Sequence, residues 1–241
     1  GFGLVRTHPL VRKSGCTTFG AYIERITNDA HEQSLTICAL TTNHTSFFRE
    51  HHHFEYLAGT VIPTIVKSRG SGPARLRIWS AGCSTGEEPH TLAMVLREQW
   101  AQLKGWDVRI LATDLDTNVV KHASEGVYDA DRLESIPPDY RRRYVTVQRD
   151  GSFWINDDVR ELISFAPLNL LEPWPMQGPF DVIFCRNVVI YFDKDTQRTL
   201  FDRYAELMRP DGWLFIGHSE SLLNVTNRFS LVGRTIYRRT A

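Results

Sequence analysis

Four stretches of this 241-residue chain carry residue types able to hold a ligand or do chemistry. The first is Ser80-Ala81-Gly82-Cys83-Ser84-Thr85-Gly86-Glu87-Glu88-Pro89, whose small residues let a ligand approach the backbone closely. It follows a strand pattern and opens a helical one. It therefore reads either as a tight βα turn with Ser and Thr caps or as the binding crevice of a doubly wound sheet. Its glycines fall short of G-x-G-x-x-G, no G-K-[ST] follows, and Glu87 and Glu88 stand where a pyrophosphate would lie. That argues against a dinucleotide, and with it a nicotinamide dehydrogenase. Adjacent carboxylates favour a cationic, phosphate-free ligand, and S-adenosylmethionine, with a sulfonium and an ammonium, is one. The plainer role of the pair is to complement the positive end of a helix, and each carboxylate can serve one role.

The second stretch is Thr113-Asp114-Leu115-Asp116, at the end of the next strand pattern. An acidic residue there accepts hydrogen bonds from ribose hydroxyls. Asp114 is assigned that part, and Asp116 the N-cap of the following helix. The third, Phe184-Cys185-Arg186-Asn187-Val188-Val189-Ile190-Tyr191-Phe192, puts Arg186 and Asn187 at a carboxyl strand end, where open α/β sheets keep their sites. Position alone leaves Tyr191 as either a site residue or a core aromatic. The fourth, Leu40 to Glu50, reads locally as a cap and then a helix. His218-Ser219-Glu220 follows another strand end and admits a site role. The run His51-His52-His53 is expected to be partly exposed and no metal is expected, because consecutive helical side chains do not converge on one ion and no Cys/His/Asp cluster is spaced for zinc. Arg141-Arg142-Arg143 is expected to be a solvated face. No G-x-S-x-G elbow supports a serine hydrolase.

The elements that must position these residues follow from periodicity. Phe19, Tyr22, Ile23 and Ile26 recur at helical spacing, Leu35, Ile37 and Leu40 continue the apolar pattern, and a helix is expected from His53 to Lys67 with Pro63 kinking or dividing it. Ser68-Arg69-Gly70-Ser71-Gly72-Pro73 is loop chemistry and the expected domain junction, giving a helical region over 1–72 and a second domain over 73–241. Strands are expected at 76–81, 108–113, 162–165, 181–185 and 213–217, with helices at 89–102, 117–124 and 195–208. Arg209-Pro210-Asp211-Gly212 is a turn signal, and a last strand over 228–238, antiparallel to the others, is expected. Such alternation implies right-handed crossovers and a mostly parallel sheet. Tyr144 to Ile155 interrupts it as a β-hairpin turning at Asp150-Gly151, inside a subdomain of about 140–162.

Lys and Arg total 28 and Asp and Glu total 28, so the formal charge is zero and no excess of cations attracts nucleic acid. Cys16, Cys38, Cys83 and Cys185 are dispersed without a C-x-x-C, which fits reduced thiols in the cytoplasm. No apolar run reaches the roughly 20 residues of a membrane helix. The first residues, from Gly1 to Arg6, do not read as a signal peptide and look cut from something longer.

Taken together, Leu40–Glu50, Trp79–Pro89, Ala112–Asp116, Asn169–Glu172, Pro179–Phe192 and Leu214–Ser221 resemble, in order and across nearly the whole chain, the chemotaxis receptor glutamate methyltransferases, the CheR family. The first and fifth stretches are the specific ones. The resemblance implies an α/β, Rossmann-like class I S-adenosylmethionine-dependent methyltransferase with a small N-terminal helical domain, truncated here, and an inserted β-hairpin subdomain. It implies methyl transfer to glutamate side chains of chemoreceptor cytoplasmic helices, with S-adenosylhomocysteine as product and no metal, by a cytoplasmic monomer. By the same resemblance Asn43, Thr45, Arg49, Ala81, Gly82, Glu87, Asp114, Asn169, Leu170, Arg186 and Asn187 contact the cofactor, and Arg49 and Tyr191 lie close to the transferring methyl. Arg6, Arg12 and Lys13 are the remnant of a receptor-docking basic face. Cys83 in the glycine-bearing loop and His90, where Tyr is expected, depart from the family pattern. The short hairpin implies that no receptor tail peptide binds. The alternatives are a methyltransferase of the same fold acting on another protein or a small molecule, and a non-catalytic cofactor-binding module.

Overall fold

In a computed structural model of the chain, residues 11–29, 32, 36, 44–70 and 72–240 are described. Two compact units divide between His44 and Thr45. In the first, helix α1 (Phe19–Asn28) starts at Thr18, whose hydroxyl accepts the Ala21 N–H at 3.2 Å. Of its expected apolar stripe only Tyr22 is buried, with its hydroxyl 2.8 Å from Thr36 Oγ1, while Phe19 and Ile23 are exposed. Arg12 and Lys13 are exposed, and Arg6 lies outside the described residues.

The second unit opens with a single helical rod: α2 (His52–Tyr56), a π-turn (Leu57–Val61) and α3 (Ile62–Arg69). Pro63 has no N–H to give the carbonyl one turn back and its ring crowds it. The widened π-turn just before it lets the helix continue instead of breaking. The buried face of the rod, Phe54, Leu57, Val61, Ile62 and Ile65, shares a core with Leu76, Ile78, Phe184 and Phe215. It therefore belongs with the sheet. Ser68 and Arg69 end α3, so the expected junction at 68–73 falls inside this unit, and the two units divide after His44 instead.

The sheet runs β6-β2-β1-β7-β8-β10-β9, formed by β1 (Arg75–Ala81), β2 (Asp107–Asp114), β6 (Ile163–Pro167), β7 (Phe180–Cys185), β8 (Met208–Ile216), β9 (Phe229–Gly233) and β10 (Ile236–Arg239). The first five strands in that order pair in parallel, and β10 pairs antiparallel with both neighbours. Every residue of β7 is buried, as a central strand covered on both faces requires. Alternation sorts Ile78, Val182, Phe184 and Phe215 to the helical-rod side. Trp79, Ile183, Leu214 and Ile216 go to the other, against Leu200, Phe201 and Tyr204 of the helix Lys194–Leu207.

Two strand expectations change. Residues 228–238 form a hairpin rather than one strand, turning at Arg234 and Thr235, the latter at φ 53°. The helix before Arg209-Pro210-Asp211-Gly212 does end, at Leu207, but β8 starts at Met208 rather than Trp213, and a register shift in the β7–β8 ladder takes up the turn residues. The expected hairpin is present as β4 (Val145–Val147) and β5 (Phe153–Ile155), and β3 (Val127–Tyr128), outside the interval 140–162, completes a three-stranded sheet. Among the described residues no helix is long and apolar enough to cross a membrane.

Candidate active site

The direction of strand addition reverses between β1 and β7, so a crevice opens at their carboxyl ends. The turn after β1 forms one wall. Gly82 (φ +86°) faces Val188 so closely that a Cβ would collide with it. At Gly86 (φ +97°) a Cβ would lie 2.7 Å from Ala123 Cβ and 2.8 Å from the Tyr128 hydroxyl. The N–H groups of Gly82 and Cys83 donate to Thr113 O at 2.8 and 2.9 Å, which seats the turn on the end of β2. Tyr128 donates its hydroxyl proton to Thr85 O at 2.8 Å. Its oxygen, 2.9 Å from His90 Nδ1, must then accept from that ring, which fixes the tautomer. Burial holds His90 neutral, with a pKa of about 3.

Helix α4 (Glu87–Glu98) begins two residues before the expected start, with both glutamates in its first turn. Glu87 is 1% exposed; it accepts the Thr85 hydroxyl at 2.6 Å and pairs with Arg132 at 3.4 Å. Arg132 also donates to Thr45 O at 2.9 Å, tying the 45–50 segment to this wall. Glu88 accepts from the Ser80 hydroxyl at 2.7 Å and from Arg186 at 3.0 Å; burial raises its pKa against the pull of Arg186. Both carboxylates are thus engaged by the protein's own arginines.

Asp114 accepts the N–H groups of Ser84 (2.8 Å) and Asp116 (3.1 Å), while burial raises its pKa against these bonds. Each oxygen keeps a further acceptor position, which suits ribose hydroxyls. Asp116 caps α5 (Thr117–Glu125) by accepting the Asn118 N–H at 2.8 Å. Leu168 N–H donates to Asp114 O at 2.8 Å, which brings Asn169 and the buried Leu170 to the same edge; Asn169 Oδ1 accepts the Leu171 N–H at 3.0 Å.

Opposite, Arg186 is buried between carboxylates. It reaches Glu88, lies 3.4 Å from Glu50 Oε2, and donates to Arg49 O at 2.5 Å. His218 donates to Glu50 through its backbone N–H (3.3 Å), and its Nδ1 lies 2.9 Å from the same oxygen. Burial opposes ionisation of Glu50, but Arg186 and the two His218 contacts outweigh it and hold the pKa below the usual carboxylate value. Phe48 (φ 54°) and Glu50 (φ 57°) are both left-handed, at about 1–3 kcal/mol each for residues with a Cβ. Phe48 is anchored by its ring against Tyr140 (4.7 Å) and by its N–H to Thr91 Oγ1 (3.2 Å). Residues 47–51 form a turn, and the helix starts only at His52.

Glu220 closes the floor. Its carboxylate accepts four N–H groups, from Gly217 (2.6 Å), Val189 (2.9 Å), Asn187 (3.0 Å) and Ile190 (3.3 Å). It thereby shapes the turn that holds Asn187 at φ 60° and ends at Tyr191, whose ring is 52% exposed and so is not a core aromatic. Among the described residues no group of three or more His, Cys, Asp or Glu is arranged for a metal.

The parallel register puts Ala81, Gly82, Asp114, Asn169, Leu170, Arg186 and Asn187 at or just past the carboxyl ends of neighbouring strands, and hydrogen bonds from Arg132 and Arg186 tie the Thr45 and Arg49 carbonyls to the same end. Asn43 lies outside the described residues. Sequence reasoning missed Glu50, Arg132, His53 and the ionic role of Glu88. His53, expected to be partly exposed, is fully buried with Nε2 2.9 Å from Thr235 Oγ1, a partner 182 residues away. Arg141 is not simply solvated either, since it donates to Ile136 O and Glu134 O. Glu220 had one signal, an acid just past a strand end.

A doubly wound sheet ending in an antiparallel hairpin, with an acidic acceptor at the end of β2 and a glycine turn unsuited to phosphates, has the chemistry for a nucleoside without phosphate. Residues 43–238 match the family described as CheR methyltransferase, SAM binding domain. A probable chemotaxis protein methyltransferase of Rhizobium etli is 41% identical over 95% of this chain and 88% of its own length. The chemotaxis protein methyltransferase of Escherichia coli is 41% identical over 94% and 78%, and chemotaxis protein methyltransferase 2 of Pseudomonas aeruginosa 42% over 91% and 78%. Among solved structures, the DszA carbon methyltransferase aligns at TM-score 0.43 and 17% identity, over 68% of this chain and 34% of that one. The protein is a Rossmann-like class I S-adenosylmethionine-dependent methyltransferase. It belongs to the CheR family.

Proposed function

We propose that this enzyme methylates glutamate side chains on the cytoplasmic helices of chemoreceptors, in chemotaxis adaptation. The reading is supported by the family match over residues 43–238, and by the parallel register that puts Asp114 and Arg186-Asn187 at one end of the sheet, where Arg186 donates to the Arg49 carbonyl. S-adenosylmethionine supplies an activated methyl group there, which the glutamate carboxylate takes as an ester, leaving S-adenosylhomocysteine. A carboxylate is already anionic at neutral pH, so the protein needs no strong general base. Its work is positioning and exclusion of water. Asp114 holds the ribose through its remaining acceptor positions, and Asn169 and Leu170 line the same edge. Glu87 acts from beneath by fixing Thr85 and Arg132. Arg49 and Tyr191 orient the reacting groups and move no proton. The product is neutral, so each turnover removes one negative charge from a receptor helix.

The test is transfer of radiolabelled methyl to receptor cytoplasmic fragments. Base-labile label on the fragments is expected, and Arg49→Ala and Tyr191→Phe should each lower turnover at least tenfold while the thermal midpoint stays within a few degrees. Base-stable label, or label only on small molecules, would favour a methyltransferase with another substrate. Unchanged kinetics in both variants would remove Arg49 and Tyr191 from the mechanism.

A further inference from the structure

Arg49 sits between two residues with a Cβ that both adopt left-handed backbone, Phe48 at φ 54° and Glu50 at φ 57°. Such conformations persist only where the surroundings over-determine them. Phe48 is secured by packing, through its buried ring and the Thr91 hydroxyl. Glu50 is secured by charge. Its carboxylate lies 3.4 Å from Arg186 and 2.9 Å from His218 Nδ1, and Arg186 also donates to the carbonyl of Arg49 itself at 2.5 Å. Arg186 comes from the end of β7 and His218 from the end of β8, so one carboxylate joins three segments of the crevice.

We propose that Glu50 is a positioning residue for Arg49: its carboxylate, clamped by Arg186 and His218, holds the strained Phe48–Glu50 turn in the one conformation that presents Arg49 to the reacting groups. This rests on the role given above to Arg49. Glutamine at position 50 keeps the volume but loses the charge and replaces one acceptor oxygen with an amide NH2 that must face either Arg186 or the His218 N–H, so the turn loses its clamp while the core around it is unchanged. His218 is exposed and contributes one arm of the clamp, so its removal should weaken the effect without disturbing the fold.

The experiment is a double-mutant cycle on the whole chain, with Glu50→Gln and His218→Ala each made alone and combined with Arg49→Ala, read as kcat and KM for methyl transfer alongside thermal midpoints. Glu50→Gln should lower kcat at least tenfold, and His218→Ala about threefold. Both losses should shrink to within twofold once Arg49 is alanine, because there is then no guanidinium left to place. A purely structural role would cost the same factor in both backgrounds, and that additive result would overturn the proposal while leaving the role of Arg49 intact. Wild-type kinetics in Glu50→Gln would also overturn it. Wild-type kinetics in Arg49→Ala would bring down both readings together. If Glu50→Gln does not fold, the His218→Ala cycle decides: coupling supports the clamp and additivity rejects it.

Discussion

The two walls of the crevice are held by different physics. The Ser80–Gly86 wall is fixed by backbone: glycines at positive φ, N–H groups seated on Thr113 and Asp114, and a neutral chain from His90 through Tyr128 to Thr85. The Phe48–Glu50 wall is fixed by charge, with Arg186 buried among Glu50, Glu88 and the carbonyl of Arg49. A backbone wall can sit close to a ligand and needs few partners, but it tolerates no side chain at its turns. An ionic wall tolerates bulk but fails when one charge is removed, because the remaining charges are buried without solvent or partner. The contacts of the first arrangement span 30 to 43 residues of chain and those of the second 98 to 168.

Three measurements would break or sharpen that contrast. The largest effect is expected from Arg186→Met, which strands Glu50 and Glu88; it should cost about 3–5 kcal/mol in urea unfolding. A loss under 1 kcal/mol would mean that the wall does not rest on charge. Next, Gly86→Ala should cost about 1–3 kcal/mol through its positive φ and the approach of Ala123 and Tyr128, and should weaken calorimetric binding of S-adenosylhomocysteine. Wild-type binding and stability would show that the backbone at this turn yields easily.

The third effect concerns pH and is read as a slope. Burial holds His90 and His53, one behind each wall, near a pKa of about 3. An unfolded histidine titrates near 6.5, so between pH 6.5 and about 3 the unfolded chain binds protons that the native rings refuse. Stability should therefore fall by about 1.4 kcal/mol per pH unit for each ring as the solution is acidified below 6.5. Glu50, with its pKa lowered in the fold, adds a loss in the same direction at lower pH, as it protonates. His90→Gln should remove one ring's share of the slope measured from pH 6.5 to 5. An unchanged slope would show that His90 takes up a proton in the native state.

What the sequence determined by itself is what depends on neighbours along the chain. The apolar runs of β1 and β7, the alternation of strands and helices, the cap at Asp116, the hairpin at Asp150-Gly151 and the glycine turn at 82–86 are all written within a few residues of one another. Strand-end position singles out Asp114, Arg186 and Asn187 in the sequence, whereas Arg49 and Tyr191 are marked only by the family resemblance. Only the tertiary structure decided which charges meet. That His53 is buried against Thr235, that Glu50 and Glu88 converge on Arg186, and that Glu87 pairs with Arg132 follow from how distant segments pack. A carboxylate at a helix start looks the same in sequence whether solvent, a ligand or a distant arginine neutralises it. The cost of burying charge selects the partner, and that cost arises only once the chain has closed around it.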